Sequence, residues 1–168
     1  MCAIVVQMDS RPVEEIQETV SALAKNNFKT GFNCAEAVLR ACIDGGLLPQ
    51  FPPGIVALSS GFGGGIGMTK HTCGAVSGAV MAVGAVSGRA NPLEREEMAQ
   101  RVQQLQQEVY PVFRRMVDDF KTQYGSITCS ELTDRHGDFE GKERKRSCMQ
   151  MITFAAGLAA KYLCEGQE

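Results

Sequence analysis

The chain of 168 residues has seven cysteines but no C-x-x-C pair. That absence removes the thioredoxin-like motif and the paired-ligand zinc pattern, and without C-x-x-C-H there is no covalent haem attachment by that route. An excess of charge is missing as well. With 17 basic against 19 acidic residues the net charge is -2, which gives no basic field to hold a nucleic-acid backbone or an anionic membrane. Neither nucleic acid nor membrane is an expected partner. Period-two alternation is absent, so nothing calls for a sheet. Neither a serine, histidine and acid arrangement nor H-E-x-x-H stands out, and hydrolytic chemistry has no support. The run GFGGGIG lacks the GK[ST] ending and a preceding strand, so it does not read as a phosphate-cradling loop.

Two uncharged stretches also fail as membrane spans. Gly45 to Thr69 contains Pro49, Pro52, Pro53 and the glycine run, and Cys73 to Ser87 falls short of the roughly twenty residues a bilayer requires. The apolar start MCAIVVQM has no basic stretch before it and meets Asp9 and Arg11 at once, so it is not read as a signal peptide. The chain is read as cytoplasmic. In a reducing compartment seven cysteines argue against a static disulfide framework and for metal ligands, redox thiols or buried apolar fillers.

What is present is helical periodicity. With 44% apolar residues the chain can bury a core, and its length suits one domain over residues 1–168. The expected fold is all-α: a compact bundle of about five to six helices around a Gly/Ala-rich central helix. Ile16, Val20 and Leu23 stripe a helix from Val13 to Lys25. Asn33 is placed to cap CAEAVLRACID, which Gly45 and Gly46 end. A loop with a short helix around Ile55 to Ser60 follows. Cys73 to Ser87 contains GAVSG twice, small-residue spacing that lets another backbone approach closely, and is taken as the central helix. From Leu93 to Tyr124, Met98, Val102, Leu105, Val109, Val112 and Met116 form a seam that Pro111 should kink or split. The seam could serve a homodimer, but such a stripe is more often intramolecular core. A short turn or helix at Cys129 and a last helix from near Lys142 to about Leu163 complete the chain.

Cys34, Cys73, Cys129 and Cys148 each fall where a helix is expected to begin or beside a glycine-rich bend, where partial positive charge favours the thiolate. Arg144 and Lys145, one turn before Cys148, are placed to stabilise its negative form; alternatively ERKR is an exposed basic helix start. Cys2, Cys42 and Cys164 lie at the termini or on an apolar stripe and read as small hydrophobes. His71, two residues before Cys73, is a less favoured ligand, and His136 sits in a polar link that reads as solvated. For GFGGGIG a flexible connector competes with a backbone cradle for sulfur.

The order Cys34, TCGAVSG with Cys73, then Cys129 and Cys148 resembles the C_GCAxxG_C_C family of small redox-active proteins, over about Thr30 to Leu163. The C-G-A-x-x-G element is carried by Cys73, Gly74, Ala75 and Gly78. The resemblance implies redox activity, and a related branch fused to haem modules looks like it carries an iron-sulfur centre. Cys34, Cys73, Cys129 and Cys148 are therefore the expected ligands of an iron-sulfur cluster that passes electrons to an unidentified redox partner. Four thiolates suit a cluster or, less favoured here, structural zinc. Thiol-disulfide exchange or sensing by two of the four cysteines is the competing chemistry.

Overall fold

Two helix boundaries in this protein are written by local capping. Asn33 accepts hydrogen bonds from the backbone of Ala35 and Glu36 while the Glu36 carboxylate accepts from the Asn33 N–H at 2.9 Å, a complete capping box that fixes where the second helix begins. Gly125, with φ of 82°, ends another helix in the left-handed conformation that a glycine takes without steric cost. The computed structural model describes residues 11–138 and 140–166, and Cys2 lies outside them.

Seven α-helices lie among the described residues: α1 (Val13–Lys29), α2 (Cys34–Asp44), α3 (Gly74–Ser87), α4 (Met98–Gln104), α5 (Tyr110–Tyr124), α6 (Cys129–Thr133) and α7 (Lys142–Glu165). A 3-10 helix, Pro53–Phe62, precedes α3, and a π-turn, Leu105–Val109, joins α4 to α5. The fold is all-α, as the periodicity predicts. The 93–124 segment is divided just before Pro111 and Cys129 starts a short helix of its own, both as the sequence suggests. Helix α1 runs one turn past Lys25. There the buried Asn27 side chain donates to the Ala37 carbonyl at 3.4 Å, tying the extension to α2.

The Gly/Ala-rich centre is shared by α3 and α7. Ala75, Ala79, Ala82 and Val83 of α3, together with Ala155, Ala156, Ala159 and Ala160 of α7, are buried in one core with Val20, Val38 and Phe120. Glycine governs how close α3 comes to α2: a Cβ at Gly78 would stand 2.6 Å from the Ala35 carbonyl oxygen and 3.0 Å from Val38 Cβ. Helix α7 lies antiparallel on α1, held by Ser21 donating to the Thr153 carbonyl at 2.9 Å and Gln17 to the Gly157 carbonyl at 3.2 Å. No helix among the described residues is long and apolar enough to cross a membrane.

The seam from Met98 to Met116 is core only at its far end. Met116 is buried, whereas Met98 is 71% exposed and Val102 47%. The π-turn widens the helix between them and takes the two halves of the stripe off one straight line.

The glycine contacts give opposite signs for one substitution. Gly78→Ala forces a methyl into the Ala35 carbonyl and should cost about 1–3 kcal/mol by overpacking. Gly84→Ala meets only Phe113 ring atoms at 3.8 Å and should gain up to about 1 kcal/mol of helix propensity. Thermal unfolding of the two variants beside the parent checks both. A Gly78→Ala protein as stable as the parent contradicts the packing assigned to α2 and α3.

Candidate functional site

The four cysteines singled out in the sequence come together at one end of the bundle, each delivered by a different local device. Cys34 is the first helical residue of α2, immediately after the Asn33 cap. Cys73 is the residue before α3 and Cys129 the first residue of α6. An antiparallel bridge between Thr72 and Thr128 aligns those two: the Cys73 N–H donates to the Ile127 carbonyl at 2.7 Å, and the Cys129 N–H donates to the His71 carbonyl. Flanking the bridge in this way, Cys73 and Cys129 are diagonal neighbours, a relation that sets Cα atoms roughly 7–8 Å apart. That lies beyond the usual disulfide range of about 4.4–6.8 Å.

Cys148 departs from the expectation. It sits seven residues into α7, counting from Lys142, so the partial charge of the helix start falls off before reaching it. Its electrostatic partner is Arg144, one turn earlier and buried, whose Nη1 lies 3.9 Å from the Cys148 sulfur. Lys145 does not share this role; it is exposed and pairs with Glu140 at 3.2 Å. The alternative of an exposed basic start therefore holds for Lys145 and Arg146 but not for Arg144.

The glycine run is no loose connector. Gly64 and Gly65 are buried, and the loop is closed on itself by Met68 N–H to the Gly63 carbonyl, Lys70 N–H to that of Gly64 and His71 N–H to that of Gly65. A Cβ at Gly65 would stand 2.8 Å from Cys129 Cβ, and one at Gly74 3.0 Å from Cys34 Cβ, so bare backbone packs directly against two of the cysteines. The Gly64 N–H is directed at the Cys34 sulfur. Ile66, Met68 and Lys70 all take positive φ between 61° and 68°, a conformation that side chains with a Cβ rarely adopt.

Electrostatics separates Cys34 from the other three. A hydrogen bond from the Cys148 thiol is the main influence lowering its pKa to about 7; burial opposes it, and the Gly64 N–H and the Arg144 charge assist. The same hydrogen bond pushes Cys148 up, with burial adding to it. Cys34 is thus the acceptor and Cys148 the protonated donor. Cys73 is pushed up to about 12 by burial, although the N–H groups of Ala75 and Val76 favour its thiolate. Cys129 is also raised by burial, against the Thr133 hydroxyl. Desolvation therefore overrides the helix start at Cys73 and Cys129, where the sequence suggests a favoured thiolate. The charge of Cys34 raises both of them further.

Cys42 is fully buried and raised to about 12, as a small hydrophobe would be, and Cys164 packs against the core at the end of α7. The His71 side chain is exposed; the site uses its backbone. The Gly64 N–H is the backbone cradle that the glycine run offers as one alternative. Tyr124, whose pKa is raised by burial and by the charge of Cys73, has no signal in the sequence. Among the described residues no three His, Cys, Asp or Glu side chains are gathered in a way that would hold a metal ion.

The raised thiols have a consequence for stability. Cys42 and Cys73 keep their protons up to about pH 12 in the folded chain, while an ordinary thiol loses its own near 9.0. Their contribution is complete below the ordinary value and is lost as pH rises across that window. Denaturant midpoints should therefore fall between about pH 9 and pH 11, and fall less steeply in Cys42→Ala than in the parent. Parallel pH profiles for the two proteins would contradict the assignment for Cys42.

Comparison with known proteins adds the family. No curated protein and no solved structure matches the chain. A family model does match, the one described as putative redox-active protein (C_GCAxxG_C_C), over residues 32–162. The matched span opens two residues before Cys34, closes within α7 beyond Cys148, and so contains the whole cysteine cluster. The match takes in 131 of the 168 residues, and the chain belongs to the C_GCAxxG_C_C family of redox-active proteins.

Proposed function

We propose that the protein carries out thiol-disulfide exchange, with Cys34 as the attacking thiol and Cys148 as the resolving one. One arrangement carries the reading: the Cys34 and Cys148 sulfurs face each other with the Arg144 guanidinium 3.9 Å from Cys148, a setting that lowers the pKa of Cys34 and raises that of Cys148. An attacking thiol works best when its pKa lies near the ambient pH, because more acidic thiolates are poorer nucleophiles. Cys34 meets that condition and is the only one of the four that is not fully buried, which leaves it as the sulfur a substrate disulfide would approach.

The Cys34 thiolate attacks one sulfur of the substrate disulfide. That S–S bond breaks, the far sulfur leaves as a thiolate, and a mixed disulfide joins substrate to Cys34. Cys148 gives its proton to the departing thiolate and attacks the Cys34 sulfur. The mixed disulfide breaks, the second substrate sulfur leaves, and a Cys34–Cys148 disulfide remains. Two electrons have passed from the protein to the substrate, and an external dithiol returns them in the reverse exchange. Arg144 supplies positive charge next to whichever sulfur is anionic at each stage.

A second reading, a four-thiolate iron-sulfur centre, is favoured by the nearness of Cys73 and Cys129 to the pair. Exchange between two sulfurs gives those two buried thiols no task. In that reading Cys34, Cys73, Cys129 and Cys148 hold the cluster, which would supply one-electron transfer.

Anaerobic purification with iron and sulfide assays, followed by alkylation against pH with mass-spectrometric site assignment, separates the two. Exchange predicts one fast site, Cys34, with its rate midpoint near pH 7, moving to higher pH in Arg144→Met. Cys34→Ser should abolish reduction of a model disulfide. Cys148→Ser should trap the mixed disulfide and slow turnover about 10³-fold or more, since an intramolecular step becomes bimolecular. Stoichiometric iron and sulfide, lost together in any of the four Cys→Ser variants, would overturn exchange in favour of the cluster.

A further inference from the structure

Opposite in character to the cysteine cluster, a groove of about 580 Å³ runs between the C-terminal end of α1 and the first two turns of α7. Lys29, Lys142, Lys145 and Arg146 line it, with Phe28 and Met149, both half-buried, contributing apolar surface. Glu143 is the one carboxylate in the lining. Lys145 reaches Glu140, but Lys29, Lys142 and Arg146 have no carboxylate within ion-pairing distance among the described residues. A second depression of about 500 Å³ shares Arg146 and Met149 and adds Lys25.

Concentrating cations in this way is unfavourable in a chain of net charge -2, where carboxylates are plentiful enough to have paired them. The repulsion is relieved by an anion. At about 580 Å³ the groove falls within the usual small-molecule range of about 300–1,000 Å³. Arg146 can grip a phosphate through two parallel N–H donors, and lysines add point charge. Phe28 and Met149 offer an aromatic face and a polarisable thioether, surfaces that suit a flat ring and contribute nothing to a bare anion.

We propose that this groove binds a small phosphate-bearing molecule with an aromatic portion, of the nucleoside phosphate class: Lys29, Lys142 and Arg146 take the phosphates, and Phe28 and Met149 the ring. The site is separate from the cysteine cluster, and the inference does not depend on which redox chemistry operates there.

Calorimetric titration of the full-length chain tests it, with ATP and inorganic triphosphate as probes at about 0.01 M and about 0.15 M ionic strength, where the screening length drops from roughly 30 to roughly 8 Å. ATP should bind more tightly at the lower salt. The Lys142→Glu, Arg146→Glu double variant should weaken it at least about tenfold, as loss of two charge contacts implies. A control pair on α5, Arg114→Glu with Lys121→Glu, should leave affinity within about twofold. Triphosphate should bind several-fold more weakly than ATP, and Met149→Ala should narrow that gap. Absence of heat with either probe overturns the site, as does an equal loss in the control pair. Equal affinity for ATP and triphosphate overturns the ring-binding role of Phe28 and Met149.

Discussion

The close approach of α3 to α2 is the constraint on which the rest of the arrangement hangs. Gly74 and Gly78 lie against Cys34, Ala35 and Val38 with no room for a side-chain carbon. Because the contact is backbone against backbone, it fixes the distance between the two helix starts and leaves little freedom for their flanking segments. Cys34 opens one of these helices and Cys73 precedes the other, so the packing that builds the core also sets the spacing of the thiols. The glycine loop then closes over that junction, and α7 brings Cys148 and Arg144 to it from the far side of the core.

The site is asymmetric by burial more than by helix polarity. Three of the four cysteines open or precede a helix, yet only Cys34 is acidified, because at Cys73 and Cys129 desolvation exceeds what the nearby N–H groups return. At Cys34 a thiol donor, a glycine N–H and a guanidinium act on one sulfur that keeps partial access to solvent. Arg144 is buried to serve this arrangement, and its neighbours in sequence face outward. A single helical turn thus divides its cations between an interior thiol cluster and an external groove.

Features that depend on local sequence were legible in advance. Asn33 before CAEAVLRACID, Gly125 after Tyr124 and the placement of Pro111 each act within a turn of themselves, and the corresponding boundaries fall where those residues put them. The bundling of the four cysteines was readable only through their order and the resemblance it carries. Nothing in the spacing of Thr72 and Thr128 announces that they pair, because the bridge depends on how remote segments meet. For the same reason the left-handed turn through Ile66, Met68 and Lys70 was invisible, since no local preference of those residues favours it. The exposure of Met98 and Val102 was hidden in another way: a stripe records apolar spacing, and says nothing of whether a neighbour covers it.

The cysteine cluster draws on chain positions from 34 to 148, joined by a bridge between two segments that are themselves remote in sequence. Contacts of such separation form late in folding, after the cost of closing long loops has been met. Until then Cys34 has neither the Cys148 donor nor the Gly64 N–H, and is a thiol of ordinary acidity among seven. Its acidity is therefore a property of the finished tertiary structure. A chain whose α7 has come away loses the Cys148 donor and the Arg144 charge together, and with them the lowered pKa of Cys34.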